Sequence, residues 1–177
     1  ERSIGLYTYL PNPTTGNVYS KRPMTNKGNI LLSGAESYGM KYAATESAGA
    51  VTFVNDTTGT ITLRKNPKAI NKGNINLEDN VSNALGMFVN INSDMANEGT
   101  IKVSAIAPKV SNKYQFNVAM RADQADIAYE GTNTKDTEVI NKNSIKLTGQ
   151  GAIGMIANGS STSGTNTKHA IATNNAG

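Results

Sequence analysis

The 177-residue chain has no cysteine, no tryptophan, a single histidine and few aromatic residues, which make up 6% of the sequence. Without cysteine there can be no disulfide scaffold, no thiolate metal site and no cysteine nucleophile. No apolar stretch approaches the roughly 18–20 residues that a membrane-spanning helix requires. These absences exclude disulfide-stabilised folds, cysteine-dependent enzymes and helical membrane proteins.

Asparagine, threonine and glycine are abundant instead, with 23, 19 and 17 residues. All three are weak helix formers that favour caps, turns and strands, and no segment of useful length has helical periodicity. The formal net charge is +4, and the densest basic run contains Arg64, Lys65 and Lys68. Because no aromatic residue is interleaved with this 64–68 basic run, it predicts a solvated face rather than a nucleic-acid site. Binding of a polyanion is the alternative.

A first recurring unit reads N-x-G-x-I-x-L. Its best copies begin at Asn26 and Asn71, looser copies begin at Asn97 and Asn141, and a further variant covers residues 59–63. Asn and Gly tolerate positive φ, so we expect the unit to turn a corner. The I-x-L that follows alternates apolar and polar residues, which is typical of a short strand with one buried face.

A second unit, G-M, alternates with the first. In three copies its methionine follows the asparagine of the first unit by 14, 16 and 14 residues. We expect these methionines to form a stacked ladder in the core. The copies are Gly39-Met40, Gly86-Met87 and Gly154-Met155, with Ala119-Met120 and Gly5-Leu6 as degenerate members.

Near-identical short strands at regular spacing indicate a solenoid in which equivalent strands stack in register. We therefore predict an all-β fold, a right-handed parallel β-helix of roughly four to six coils. The hand follows that of parallel crossovers in general. Residues 1–25 are expected to form a partial coil with a Tyr- and Pro-rich insertion, and residues 26–177 the repeat region. The whole is expected to be one continuous solenoid segment truncated at both ends.

The longest stretches without a unit follow the G-M strand, at residues 9–25, 41–54, 121–140 and 157–170. We therefore expect loop insertions at one corner of the solenoid. The interval between Met40 and Met87 is the longest, and an extra coil containing Ile61 is one explanation for it.

The alternation of Asn26-Lys27-Gly28-Asn29-Ile30 with Ser37-Tyr38-Gly39-Met40 resembles the passenger region of very large fusobacterial autotransporter adhesins, over residues 26–177. The resemblance implies a non-enzymatic segment of a type V secreted adhesin at the cell surface, with no cofactor or metal. It also implies binding to a glycan or receptor protein of host cells or other bacteria, including co-aggregation, and no nucleic-acid partner. The parent would meet the membrane only through a C-terminal outer-membrane barrel that this sequence lacks.

Parallel β-helices also include polysaccharide-degrading enzymes, so the acidic cluster of Asp123, Asp126 and Glu130 is a candidate catalytic or Ca²⁺ site. Asp123 and Asp126 are three residues apart, which places them on opposite faces of a strand. The cluster therefore predicts solvated charges in a loop.

The lone histidine, His169, lies near Ser160, Ser161 and Ser163. A Ser–His pair needs a third orienting group and a constrained nucleophile, and the G-x-S-x-G motif does not occur. We expect a surface histidine and no catalysis. An enzyme is thus the third hypothesis, behind an adhesin and behind a purely structural stalk whose ligand site lies elsewhere.

Tyrosine and arginine are favoured anchors of binding interfaces. They occur in two groups, one at the N-terminal insertion, stiffened by Pro11, Pro13 and Pro23, and a second that joins residues before and within the 121–140 stretch. We predict ligand binding by these groups, and the alternative is that the aromatic residues fill irregular coils. The residues are Tyr7, Tyr9, Tyr19 and Arg22 in the first group, and Tyr114, Arg121 and Tyr129, with Phe116 beside them, in the second.

Overall fold

The computed structural model describes residues 4–10, 24–44, 69–78, 81–90, 94–110, 113–124, 136–163 and 166–176. All regular elements within these ranges are β-strands, which confirms the predicted fold class. The strands are β1 (Ile4–Leu10), β2 (Thr25–Asn26), β3 (Asn29–Leu32), β4 (Tyr38–Ala44), β5 (Ala69–Asn71), β6 (Asn74–Leu77), β7 (Leu85–Asn90), β8 (Asp94–Asn97), β9 (Thr100–Val103), β10 (Lys109–Val110), β11 (Lys113–Tyr114), β12 (Asn117–Asp123), β13 (Thr137–Asn141), β14 (Ser144–Leu147), β15 (Ala152–Asn158), β16 (Ser160–Ser163) and β17 (Asn166–Asn174).

Three parallel sheets form the sides of a solenoid. Sheet A has the order β1-β4-β7-β12-β15, sheet B has β17-β13-β8-β5-β2, and sheet C has β14-β9-β6-β3. Along the chain each coil passes from sheet B to sheet C to sheet A. Four coils are complete, β1 precedes them and β17 follows them, in agreement with the predicted coil number. The right-handed sense and the domain division stay predictions.

An extra coil containing Ile61, one explanation for the long interval between Met40 and Met87, is not part of the stack. Strand β3 pairs directly with β6, with Ile30 opposite Ile75, and β4 pairs directly with β7. No coil can therefore stand between these two within the sheets. Residues 45–68, including Ile61, lie outside the described residues.

The predicted corner for insertions is the connection from sheet A to sheet B. The long connections from a strand of sheet A to the next strand of sheet B are residues 11–24, 45–68 and 124–136. At the same corner, β16 pairs antiparallel with β17. One insertion was missed: the antiparallel pair β10–β11 lies between sheet C and sheet A. Its position after β9 carries no G-M unit, so the sequence pattern did not mark it.

Identical positions of successive coils stack into apolar ladders. The methionine ladder is confirmed: Met40, Met87 and Met120 are fully buried and in register, and Met155 at the last coil is half-buried. In the isoleucine ladder, Ile75 and Ile101 are fully buried. The end members Ile30 and Ile145 are half-buried, because each has a neighbouring coil on one side only.

The asparagine that opens each N-x-G unit points inward and forms a ladder of its own. Each side-chain Nδ2 donates to the Oδ1 of the equivalent asparagine one coil further, over 2.8 Å at every step. Asn71 and Asn97 are completely buried. Such rows of amides satisfy buried donors and acceptors together and polarise one another. The rungs are Asn26, Asn71, Asn97, Asn141 and Asn174.

The glycine of the unit has a different role from the one predicted. Positive φ occurs at Glu36, Asn83, Gly151 and Gly159 and at none of the described corner glycines. Instead, a Cβ built on Gly73 would overlap the carbonyl oxygen of Gly28, and one on Gly99 would overlap that of Gly73. Glycine is needed because the corners of successive coils lie in direct backbone contact.

The fourth corner shows how a side chain at the glycine position affects the hydrogen bond between coils. Where Gly73 and Gly99 occupy the corner, the next residue donates its backbone N–H to the preceding coil over 2.9 and 3.0 Å. Asn143 replaces glycine in the fourth unit, and there the bond from Ser144 N to Gly99 O lengthens to 3.4 Å. The Asn143 side chain donates to Glu98 O over 3.0 Å in partial compensation.

The glycine of the G-M unit and the isoleucine of the N-x-G-x-I unit pack against each other in the core. A Cβ on Gly39 would lie 2.8 Å from Cγ2 of Ile75, and one on Gly86 would lie 3.1 Å from Cγ2 of Ile101. The nearest atom is in both cases the carbonyl oxygen of the next sheet A strand, Gly86 O at 2.5 Å from the Cβ on Gly39 and Ala119 O at 2.6 Å from the Cβ on Gly86. The glycine of each G-M unit therefore makes room for the backbone of the next strand and for the isoleucine of the next coil. Ala119 is the exception, and its methyl group is completely buried beneath the coil of Ile145.

We expect Gly73→Ala to destabilise the chain by about 1–3 kcal/mol or more, because the added methyl must push two coils apart. Gly28→Ala is the matched control. Nothing lies within 4 Å of a Cβ at Gly28, so this change should be neutral or stabilising by up to about 1 kcal/mol. Urea unfolding of the two variants measures the difference, and equal effects would contradict the stacking explanation.

Replacement of a central rung, Asn97→Ala, should destabilise by about 2–4 kcal/mol. It removes the acceptor of Asn71 Nδ2 and the donor to Asn141 Oδ1, and each unsatisfied buried group costs about 1–3 kcal/mol. The control is Asn74→Ala, since the Asn74 side chain is exposed and donates to Asn29 Oδ1, and its loss should change stability by less than about 0.5 kcal/mol. Thermal unfolding tests both, and a tolerated Asn97→Ala would show that the ladder does not stabilise the stack.

Candidate binding surfaces

The predicted ligand-binding residues fall on different parts of the structure. Arg121 is described with its side chain, which is half-buried on β12. The backbones of three others are described, those of Tyr7 and Tyr9 on β1 and of Tyr114 on β11. The remaining three, Tyr19, Arg22 and Tyr129, lie outside the described residues.

The register of sheet A places one residue of each predicted group in the same row, separated by two strands. Tyr7 on β1 and Arg121 on β12 belong to one row of paired positions, which we name the post-methionine row because each member follows the Leu or Met of a G-M unit. At about 4.8 Å per strand the row is about 19 Å long. Its members are Tyr7, Lys41, Phe88, Arg121 and Ile156.

An aromatic and cationic cluster occupies the middle of this row. The rings of Tyr38 and Phe88 lie with centroids 5.6 Å apart at an angle of 53°, and Lys41 Nζ lies 4.6 Å from the centroid of Tyr38. Only 7% of Lys41 is exposed, so its charge is largely removed from water and held against the ring. The cluster is a preorganised part of the sheet A surface.

Arg121 is oriented by an acidic neighbour on its own strand. Its Nε donates to Asp123 Oδ1 over 2.7 Å, and both side chains are partly exposed. Asp123 is therefore the ion-pair partner of Arg121. Asp126 and Glu130 lie outside the described residues. Within the described ranges, no group of three His, Cys, Asp or Glu residues is placed to hold a metal ion.

The hairpin of β16 and β17 places Ser160 directly opposite His169. The nearby carboxylate, Asp136 Oδ1, accepts a hydrogen bond of 2.8 Å from the backbone N–H of His169. In a catalytic triad the carboxylate bonds the imidazole ring and orients it. His169 is exposed, as predicted, and the observed bond fixes the strand rather than the ring.

The outer side of sheet C is a second surface, which we name the sheet C face. One row consists of exposed Leu31, half-buried Asn76 and the two exposed lysines Lys102 and Lys146. The parallel row consists of Asn29, Asn74, Thr100 and Ser144. The face is thus built from amides, hydroxyls and ammonium groups.

A charged network lies along the corner next to this face. Glu98 contacts Lys72 over 3.7 Å and Lys142 over 3.5 Å, so the second residues of three successive N-x-G units form one ion-pair network. Lys27 occupies the same position in the first unit and is exposed. Exposed pairs of this kind contribute little to stability, and their main effect is on surface charge.

A cavity of about 640 Å³ lies at the C-terminal end of the solenoid, lined by Ile145, Leu147, Gly154, Met155 and Asn174 among others. Leu147 is 44% exposed there, whereas its register partner Val103 is fully buried. The cavity is therefore the uncovered end of the core ladders rather than a pocket within the coils.

Sequence reasoning missed Tyr38, Lys41 and Phe88. The signal that was available is positional: the residue after each Met of the G-M unit points away from the core and stacks in register with its equivalents. Residue type did not reveal it, because the row contains aromatic, cationic and aliphatic side chains.

The post-methionine row can be tested by cross-linking, since the chain has no cysteine. Phe88→Cys with Arg121→Cys places two thiols on adjacent strands, with Cα atoms about 4.8 Å apart, within disulfide range. Lys41→Cys with Arg121→Cys is the control, at about 9.6 Å. We expect a disulfide only in the first pair, read by thiol titration and intact mass. Equal oxidation of both pairs, or none in the first, would contradict the register.

Comparisons with protein-family models, curated proteins and solved structures find no match to this chain. Among the described residues, no helix is long and apolar enough to cross a membrane.

Proposed function

We propose that this chain is a surface-exposed passenger segment of an outer-membrane autotransporter adhesin, which mediates binding to host cells or other bacteria. The observation that carries the proposal is the common corner of the long connections. Residues 11–24, 45–68 and 124–136 all join sheet A to sheet B in successive or nearby coils. Insertions on one side of a solenoid are often its binding side.

The post-methionine row supports the same proposal. It runs along sheet A, whose strands lead directly into these connections, and it presents Phe88 and Arg121 partly exposed beside the Tyr38–Lys41 pair. Aromatic and arginine side chains held in place by neighbours lose little entropy on binding. The partner proposed is a glycan or receptor protein of a cell surface.

A purely structural stalk is the second candidate. The continuous asparagine and methionine ladders favour it, because they would stiffen a rod whatever its outer residues. The two candidates differ in one property: only the adhesive segment binds cells by itself.

The purified chain should bind whole host or bacterial cells saturably, with competition by galactose or by arginine. Arg121→Ala should weaken this binding about fivefold, as expected for an interface anchor, with little change in melting temperature. Lys109→Ala removes the same charge from β10, which lies between sheet C and sheet A and away from the corner of the long connections, and is the control. Absence of saturable binding would favour the stalk. Equal loss in both variants would remove the post-methionine row from the binding site.

A further inference from the structure

We infer that the sheet C face binds an acidic polysaccharide through Lys102 and Lys146. The inference deepens the proposed adhesive function by naming a ligand class and a surface. It concerns a different sheet from the post-methionine row, so the two can fail separately.

The first observation is that two positively charged side chains lie side by side on this face. Lys102 and Lys146 are register partners on β9 and β14, both exposed, and about 4.8 Å separates their backbones. No described acidic residue forms an ion pair with either of them. The neighbouring Glu98 is already engaged by Lys72 and Lys142. Mutual repulsion of two adjacent ammonium groups is relieved when an anion lies across them.

The second observation is the charge balance of this side of the molecule. The face and its corner carry Lys27, Lys72, Lys102, Lys142 and Lys146, against Glu98 in the network and Glu78 at the end of β6. Five lysines against two glutamates account for most of the formal net charge of +4. Such a concentration attracts polyanions and does so less at high salt.

The third observation decides between classes of polyanion. The outward residues of sheet C include Asn29, Asn74 and Asn76, whose amides can pair with hydroxyl groups of a sugar chain. No aromatic side chain lies in the two outward rows to stack a nucleic-acid base, and Leu31 is their only aliphatic side chain. Amides and paired ammonium groups together fit a chain of hydroxyls with regularly spaced carboxylates or sulfates.

The test uses the full chain and four immobilised probes: heparin, polygalacturonate, double-stranded DNA and vesicles containing phosphatidylserine, with neutral dextran as the blank. We expect binding at 50 mM NaCl to heparin, to polygalacturonate or to both, which separates sulfate from carboxylate recognition, and its loss at 500 mM NaCl. Tighter binding to DNA or to the vesicles than to either polysaccharide would overturn the assignment, as would binding to neither.

The variants locate the site. Lys102→Gln with Lys146→Gln should weaken binding about tenfold, since each exposed ionic contact contributes a few-fold. The matched control, Lys109→Gln with Lys113→Gln, removes the same charge from the β10–β11 pair, outside the sheet C face, and should change binding less than twofold. Equal loss in the two variants would show that net charge, and not this face, binds the polymer. Cell binding that survives the first variant would leave adhesion in place and exclude this face from it.

Discussion

The buried column of asparagine amides is the interaction on which the solenoid depends. Each rung accepts from one coil and donates to the next over 2.8 Å, so the chain of hydrogen bonds is complete only when every coil is in the same register. A shift of one residue would turn the amide outward and leave its neighbours unpaired in the interior. The ladder therefore fixes the register in which the short strands pair.

The same close stacking sets the other restrictions on the repeat. Corners that touch backbone to backbone exclude a Cβ at Gly73 and Gly99. At Gly39 and Gly86 a Cβ is excluded by the carbonyl of the next sheet A strand and by the isoleucine of sheet C. The lengthened bond beside Asn143 shows that the restriction is graded. A corner can accept a side chain if that side chain replaces part of the bonding it disturbs.

Much of the fold can be predicted from the sequence because each inward residue stacks on the equivalent residue of the next coil. Repeated I-x-L and G-M units predict the ladders of Ile75 with Ile101 and of Met87 with Met120, and both are observed. The reason for glycine could not be read in the same way, since a pattern does not distinguish positive φ from a missing Cβ. Nor did spacing distinguish a long connection from an additional coil around Ile61. The Tyr38–Lys41–Phe88 cluster was missed because outward positions share a place in the repeat and not a residue type.

This division between inward and outward positions bears on how such a chain acquires a function. Inward residues are nearly fixed by their neighbours one coil away, so they carry little information about a ligand. The residue after each Met and the x positions of N-x-G-x-I-x-L are free of that restriction, and there the coils differ: Phe88 beside Arg121 on sheet A, Asn76 beside Lys102 on sheet C. Parallel stacking then turns single variable positions into rows spaced about 4.8 Å apart. A substitution in one coil thereby changes a continuous surface without disturbing the ladder beneath it, and binding specificity can vary from face to face of one rod.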